Sequence, residues 1–130
     1  MAASALLILV VDDEAPLRRV VASVLREEGY SVAEAANGKE ALDLLADTDA
    51  NLVLLDMRMP VMDGWEFTES AKEQFPDVPI LVMTAARDAE QWAREVGAVG
   101  FLSKPFDLDH MLEEVAEHIK RGKGTGARMG

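Results

Sequence analysis

Five residues in the sequence are of the types that bind phosphate and divalent cations, and each lies just past a short aliphatic run. They are Asp12, Asp13, Asp56, Thr84 and Lys104. If the three carboxylates converge, each pair at 4 Å repels by roughly 4 kcal/mol at an effective dielectric constant near 20. A lysine and a hard, oxygen-binding cation such as Mg²⁺ would neutralise them and leave a coordination position for a phosphoryl oxygen. An aspartate in such a site can attack phosphorus and form an acyl phosphate.

Short aliphatic runs alternate with longer amphipathic stretches along the chain. The candidate strands are residues 6–11, 31–35, 52–55, 80–83 and 99–102. The first, third and fourth runs are apolar without alternation, which is typical of parallel strands covered by helices on both faces. The residues with phosphate chemistry therefore lie at strand ends.

Helix signals fill the intervals between the candidate strands. Pro16 predicts the start of a first helix and Gly29 its end. Cap signals at Asn37, Asp63 and Asp88 predict the starts of the next three helices. The pattern predicts an α/β fold of the (βα)5 type, with a parallel sheet between two helix layers. Ligands of such folds collect at the carboxyl ends of the strands.

The composition narrows the class of protein further. With 130 residues, 49% hydrophobic and 28% charged, the chain is expected to form one domain with a sizeable core. The net charge of -11 argues against nucleic-acid binding, and no apolar run reaches the roughly 20 residues of a membrane span. Because there is no cysteine, disulfides, thiolate metal sites and cysteine nucleophiles are excluded, and a cytoplasmic location is expected.

Four segments together resemble the motif set of response regulator receiver domains of two-component systems. They are Val-Val-Asp-Asp-Glu at 10–14, Leu-Leu-Asp-Met-Arg-Met-Pro-Val-Met-Asp-Gly at 54–64, Met-Thr-Ala-Ala at 83–86 and Phe-Leu-Ser-Lys-Pro-Phe at 101–106. The resemblance covers roughly residues 5–121 and implies a flavodoxin-like sheet of strand order 2-1-3-4-5. Residues 122–130, which are rich in glycine and basic residues, are predicted to be a flexible tail or an artificial extension.

The resemblance also implies a chemical role for individual residues. Asp56 would be the phosphoacceptor, receiving the group from a phosphohistidine of a sensor histidine kinase or a phosphotransfer protein. Mg²⁺, for which Mn²⁺ can substitute, would be held by Asp12, Asp13, Asp56 and the backbone carbonyl of Arg58. Lys104, Thr84 and Ala85 would bind the phosphoryl oxygens.

A switch is implied at two of these positions. Thr84 would move toward the phosphoryl group and Phe101 would turn inward, which would change the face made by the fourth helix, the fifth strand and the fifth helix. That face would control a downstream protein target, with the chain as a monomer or a phosphorylation-induced dimer. Pro60, Gly64 and Pro105 would support the site, through a stiff loop, a turn of positive φ and a cis Lys104-Pro105 peptide bond.

The sequence departs from the patterns of two other classes of protein. A haloacid-dehalogenase-like phosphatase needs a second aspartate two positions after its nucleophile, where this chain has Arg58. A degenerate receiver that only binds partners usually lacks an acidic residue, the nucleophile or the lysine, and none is missing here. We therefore predict a signalling switch whose only chemistry is its own phosphotransfer and autodephosphorylation, not an enzyme. A stand-alone regulator is favoured over a receiver cut from a multidomain regulator such as a transcription factor.

The sequence also gives expectations for three residues outside the motifs. His110 and His118 lie on the predicted last helix and are expected to be solvated, away from any acidic partner. Trp92 is expected either to belong to the surface that contacts the target or to pack on the sheet, and the sequence does not decide between these positions.

Overall fold

The computed structural model describes residues 5–85 and 87–121. Five strands alternate with five helices along this part of the chain. Their bounds are β1 Leu7–Val11, α1 Ala15–Glu27, β2 Ser31–Ala35, α2 Gly38–Asp47, β3 Leu52–Leu55, α3 Gly64–Gln74, β4 Ile80–Thr84, α4 Ala89–Val96, β5 Gly100–Ser103 and α5 Leu108–His118. The predicted alternation of strand and helix is confirmed, and Thr84 is the last residue of β4 instead of the first residue past it.

The strands form one parallel sheet of order β2-β1-β3-β4-β5, as predicted. In this order β1 and β3 are neighbours, with Val11 paired to Leu55, so Asp12 and Asp56 follow paired positions. The strands β1, β3 and β4 have buried residues on both faces, which explains why their sequences are apolar without alternation. The sheet therefore brings the first and third strand ends side by side.

A hydrophobic core lies on each face of the sheet. One core packs α2, α3 and α4 on the sheet and includes Leu9, Leu45 and Phe67. The other packs α1 and α5 on the opposite face and includes Val10 and Met111. Successive residues of a strand point to opposite faces, so each central strand contributes to both cores. The two layers hold the strand ends in fixed positions.

The helix starts follow the sequence signals closely. Asn37 caps α2, and Asp63 forms a capping box at the start of α3. Pro16 lies in the first turn of α1, and Gly29 follows that helix with a φ of 100°. Asp88 precedes α4 but makes no side-chain capping hydrogen bond. The starts of α1, α2 and α3 were therefore predictable from the sequence, whereas the Asp88 side chain does not cap α4.

The predicted positive φ at Gly64 is wrong. Among the described residues, positive φ occurs at Gly29, Gly97 and Val61. Gly64 is the first residue of α3, and a Cβ atom there would lie 2.6 Å from the Cα and the Sδ of Met57. Glycine is required at this position because the helix start lies directly on the backbone that follows Asp56, not because of its dihedral angle.

Two further expectations have an outcome in the described part of the chain. The expectation that the histidines lack acidic neighbours is wrong, since His118 Nε2 lies 3.5 Å from Glu114 Oε1 and His110 Nδ1 lies 3.9 Å from Glu113 Oε1. These spacings of three and four residues on one helix place the side chains side by side.

No described helix is long and apolar enough to cross a membrane. The prediction for residues 122–130 lies outside the described residues.

Candidate functional site

Three aspartates meet at the carboxyl end of the sheet. One oxygen of each of Asp12, Asp13 and Asp56 lies within 4.8 Å of those of the other two. Backbone hydrogen bonds extend the sheet to these positions: Asp12 N donates to Ala35 O at 3.1 Å, and Asp56 N donates to Val11 O at 2.9 Å. Asp12 and Asp56 are buried and Asp13 is exposed. The predicted carboxylate cluster is therefore present in the structure.

Lys104 extends its amine into this cluster. Its Nζ lies 2.7 Å from Asp12 Oδ2, as an ion pair without hydrogen-bond alignment, and 3.5 Å from Asp56 Oδ2. Lys104 N also donates to Thr84 O at 2.8 Å, and the Lys104-Pro105 peptide bond is cis, as predicted. The lysine thus compensates part of the charge of the aspartates.

A third partner of Lys104 was not predicted. Glu14 Oε1 accepts a hydrogen bond from Lys104 Nζ at 2.8 Å. The two residues are 90 positions apart in the chain. The only sequence signal is the position of Glu14 immediately after the aspartate pair, which predicts proximity to the site but not a contact.

The surroundings of the site raise the pKa of two of its groups. Burial raises the pKa of Asp56 to about 6, with the charges of Asp12 and Asp13 adding to the rise and Lys104 opposing it. Burial alone would lower the pKa of Lys104, but its contacts with the surrounding carboxylates outweigh this and raise it to about 12. At neutral pH the lysine is charged and Asp56 is mostly ionised.

Thr84 contributes a hydroxyl without a partner. The residue is buried at the end of β4, and among the described residues its Oγ1 has no hydrogen-bond partner. A buried polar group without a partner is costly and uncommon, and such groups are often explained by a ligand. Ala85, which follows, is exposed and carries no side chain that would cover the site. The hydroxyl is available to a ligand that binds beside Asp56.

The loop between β3 and α3 is held by short-range backbone contacts. Arg58 N donates to Asp56 Oδ1 at 3.3 Å, and Gly64 N donates to Met57 O at 2.9 Å. Met62 N donates to Pro60 O at 2.7 Å across Val61, whose φ is 70°, so three residues form a tight γ-turn. These contacts fix the backbone beside Asp56.

An aromatic pair connects this loop to α4. The Arg58 guanidinium lies 5.7 Å from the centroid of the Trp92 ring, and the Trp65 and Trp92 rings meet edge to face at 4.9 Å. Trp92 is partly buried and packs against the core on the α2, α3 and α4 side of the sheet. The ring thus packs against the core on this side of the sheet, and the prediction that Trp92 belongs to a target-binding surface stays a prediction.

Phe101 lies on β5, at the edge of the sheet, and is 37% exposed. Its strand partner is Val82 on β4, two residues before Thr84. The ring is thus outside the core in this structure. The predicted inward turn of Phe101 remains a prediction.

The fold and the site define a response regulator receiver domain. The family model described as the response regulator receiver domain matches residues 8–116, and the chain belongs to this family. The matched residues include the three aspartates, Thr84 and Lys104. The class of the chain is therefore a signalling domain of two-component systems.

The chain is similar to curated proteins of different lengths. The chain is 37% identical over 114 residues to sporulation initiation phosphotransferase F of Bacillus subtilis, which covers 86% of this chain and 92% of that protein. It is also 37% identical over 129 residues to the response regulator MprA of Mycolicibacterium vanbaalenii, covering 94% of this chain but 56% of that protein. It spans only 28% of the transcriptional regulatory protein ZraR of Salmonella typhimurium.

Solved structures confirm the fold assignment. The chemotaxis protein CheY4 of Vibrio cholerae superposes with a TM-score of 0.82 at 32% identity, covering 89% of this chain and all of that one. The response regulator TrrA of Thermotoga maritima, solved in complex with Mg²⁺ and BeF, superposes with a TM-score of 0.80 at 32% identity, covering 88% of this chain and 99% of that one.

Proposed function

We propose that Asp56 is the phosphoacceptor of a signalling switch and takes its phosphoryl group from a phosphohistidine of a sensor histidine kinase or phosphotransfer protein. The observation that supports this most directly is the grouping of three aspartate oxygens within 4.8 Å beside the Lys104 amine. Asp56 lies 3.5 Å from the Lys104 amine and follows β3, the neighbour of β4. At the end of β4 the buried Thr84 hydroxyl has no hydrogen-bond partner among the described residues.

The donor set fits Mg²⁺. This ion prefers oxygen ligands and is commonly held by one or two carboxylates together with waters and a phosphate. Asp12, Asp13, Asp56 and the backbone carbonyl of Arg58 would hold it, and Mn²⁺ would substitute. When bound, the ion supplies positive charge that reduces the repulsion between the carboxylates and an incoming phosphoryl group.

The reaction forms one bond and breaks one bond. A carboxylate oxygen of Asp56 attacks the phosphorus, the bond between phosphorus and the donor imidazole nitrogen breaks, and that nitrogen keeps the electron pair. The protein acts mainly by placement and charge, as is typical of phosphoryl transfer. The Lys104 ammonium compensates the charge on one phosphoryl oxygen, and the Thr84 hydroxyl donates to another beside the Ala85 backbone.

The phosphorylated state is lost by hydrolysis at the same site. Water attacks the phosphorus of the acyl phosphate, which releases phosphate and restores the Asp56 carboxylate. This self-catalysed cycle acts on the protein's own aspartate and on no external substrate other than the phosphodonor. The chain is therefore proposed to act as a switch and not as a turnover enzyme.

The output of the switch passes through Thr84 and Phe101. The Thr84 hydroxyl moves toward the phosphoryl group, Phe101 turns from its exposed position into the space beside it, and the face of α4, β5 and α5 changes. A downstream protein binds that face, and no nucleic acid or membrane is involved through this domain. The chain acts as a monomer or forms a dimer on phosphorylation.

The extent of the whole protein is part of the proposal. We assign residues 5–121 to the receiver domain of a cytoplasmic regulator. Its similarity to a relative of which the chain covers 92% fits a single-domain regulator. Its similarity to relatives of which it covers 56% and 28% fits a receiver within a longer transcription factor. The receiver chemistry is the same in both.

The test is phosphorylation by a small phosphodonor. The full chain is incubated with Mg²⁺ and acetyl phosphate and its intact mass is followed beside Asp56→Asn and Asp88→Asn, the latter a matched change at an exposed aspartate. We expect one phosphoryl group on the wild type and on Asp88→Asn, none without Mg²⁺ and none on Asp56→Asn. A wild type that neither gains mass nor binds beryllofluoride would overturn the proposal.

A further inference from the structure

Glu14 directs its side chain away from the helix that it precedes. It occupies the N-cap position of α1, yet its side chain makes no capping hydrogen bond. Its backbone N–H is instead satisfied by Asp12 Oδ1 at 2.9 Å. The side chain is 61% exposed and extends to Lys104 Nζ at 2.8 Å. Glutamate is not a favoured capping residue, so this position is used for the lysine contact instead of for the helix end.

Lys104 has two close partners and one distant one. Its Nζ lies 2.7 Å from Asp12 and 2.8 Å from Glu14, both within hydrogen-bonding distance. The Asp56 oxygen, at 3.5 Å, lies outside the usual range of such contacts. The ammonium group is therefore drawn toward Asp12 and Glu14 and away from Asp56.

A phosphoryl group on Asp56 would compete for the Lys104 ammonium. Any movement of Nζ from its present position toward a phosphoryl oxygen is opposed by the contacts with Asp12 and Glu14 that hold it there. Asp12 is fully buried, and loss of its cation would leave an unpaired charge out of water. Glu14 is mostly exposed, so water solvates its carboxylate as soon as the lysine leaves. Of the two partners, Glu14 is therefore the one whose contact costs less to lose.

We propose that Glu14 is a positioning residue that restrains Lys104 in the unphosphorylated protein and thereby weakens the affinity of the site for a phosphoryl group. This inference rests on the function proposed above for Asp56 and Lys104. It assigns to Glu14 a role in setting the balance between the two states. The restraint acts through direct contact with Lys104 and not through the general negative field of the site.

Two substitutions at Glu14 distinguish the effect of its direct contact with Lys104 from the effect of its negative charge on the site as a whole. Glu14→Gln removes the charge at nearly constant shape, and Glu14→Asp keeps the charge but shortens the side chain by one methylene. With Mg²⁺ present, both should bind beryllofluoride about two- to fivefold more tightly than the wild type, the range expected for loss of an exposed ion pair. Asp88→Asn, which removes an exposed carboxylate that makes no contact with Lys104, should leave the affinity unchanged.

A spectroscopic measurement reports on Lys104 directly. The ε-CH₂ NMR signals of the lysines are recorded on the full, metal-free chain, and the Lys104 signal is assigned with Lys104→Met. We expect this signal to shift in Glu14→Gln and Glu14→Asp and to stay in place in Asp88→Asn. This readout does not depend on phosphorylation. It therefore tests the contact between Glu14 and Lys104 even if the wild type fails to bind beryllofluoride and the proposed function is wrong.

Each outcome decides the inference. Tighter binding in both Glu14 variants, with a shifted Lys104 signal, supports it. Tighter binding in Glu14→Gln but wild-type affinity in Glu14→Asp would assign the effect to the field and overturn it. An unchanged Lys104 signal in both variants, or weaker beryllofluoride binding in Glu14→Gln, would overturn it as well.

Discussion

Asn51 and Lys120 are joined by two hydrogen bonds across 69 residues of the chain. Asn51 Nδ2 donates to Lys120 O at 2.9 Å, and Lys120 N donates to Asn51 O at 3.0 Å. Asn51 also accepts from Leu7 N through its Oδ1 at 2.8 Å. One buried amide therefore holds the start of β1 and the segment after α5 against the start of β3. This contact lies at the amino ends of the strands, whereas Asp56 lies at their carboxyl ends.

Asn51→Ala should lower the stability of the fold without disabling the site. The change leaves Leu7 N and Lys120 O without their side-chain partner, and we expect the free energy of unfolding to fall by about 2 kcal/mol. Urea denaturation measures this loss. Asn37→Ala, which removes an exposed helix cap, should cost only about 1 kcal/mol. A smaller loss at Asn51 than at Asn37, or failure of Asn51→Ala to be phosphorylated, would contradict this account.

Val61 carries backbone strain in the loop beside Asp56. Its φ is 70° and the residue is 78% exposed, so it bears the cost of a left-handed conformation while burying little apolar surface. Val61→Gly should therefore raise the free energy of unfolding by about 1 kcal/mol, after the entropy of glycine in the unfolded chain is subtracted. Val99→Gly, at an exposed valine without positive φ, should lower it. A loss of stability in both variants in urea denaturation would show that Val61 is unstrained.

The fold and the core of the site were predictable because they depend on local patterns. Apolar runs without alternation predict buried parallel strands, and the carboxyl ends of parallel strands lie at one edge of the sheet. Asp12, Asp13 and Asp56 meet because they follow strands that are neighbours in the sheet. The strand order that makes β1 and β3 neighbours followed from the family resemblance, and local patterns alone left the meeting conditional. The cis bond before Pro105 followed from the family resemblance.

Other features could not be predicted because they depend on how distant segments pack. The contact between Glu14 and Lys104 joins residues 90 positions apart and depends on the turn after β5. Gly64 was assigned to a positive φ because glycine permits it, but the structure shows a close approach to Met57. The positive φ falls instead on Val61, a residue type that disfavours it, so no residue pattern indicated it.

The raised pKa of Asp56 predicts a pH-dependent loss of stability. Burial raises this pKa from its ordinary value of 3.8 to about 6, so the folded state binds the proton more tightly than the unfolded chain. The contribution of this group to the free energy of unfolding is therefore greatest at low pH, falls between about pH 4 and 6, and stays low above that. Asp56→Asn cannot ionise, so it should not show this decrease in the free energy of unfolding.

In metal-free buffer at pH 7.5, Asp56→Asn should be more stable than the wild type by about 1–2 kcal/mol, less than the full pKa difference implies because the amide loses the charge attraction to Lys104. The advantage should shrink as the pH is lowered toward 4, and it is measured by urea denaturation at several pH values. Asp88→Asn should show no such gain. Mg²⁺ should stabilise the wild type more than Asp56→Asn, because it binds the folded site. A variant less stable than the wild type at pH 7.5 would contradict the raised pKa.

Substitutions at Thr84 should change the stability of the fold and the affinity of the site for beryllofluoride in opposite ways. Its buried hydroxyl has no hydrogen-bond partner among the described residues, so Thr84→Val removes a desolvated polar group at constant shape. The free energy of unfolding should stay the same or rise by up to about 1 kcal/mol. Beryllofluoride should bind about tenfold or more weakly, because a hydrogen bond to a charged group is lost.

Thr84→Ser gives the opposite pattern and serves as the control. It keeps the hydroxyl but removes a buried methyl group, so the free energy of unfolding should fall by about 1 kcal/mol while beryllofluoride affinity stays near that of the wild type. Urea denaturation and a beryllofluoride titration with Mg²⁺ present measure the two quantities for both variants. If Thr84→Val instead lost stability and kept its affinity, the hydroxyl would serve the fold, and the proposed hydrogen bond from Thr84 to the phosphoryl group would be wrong.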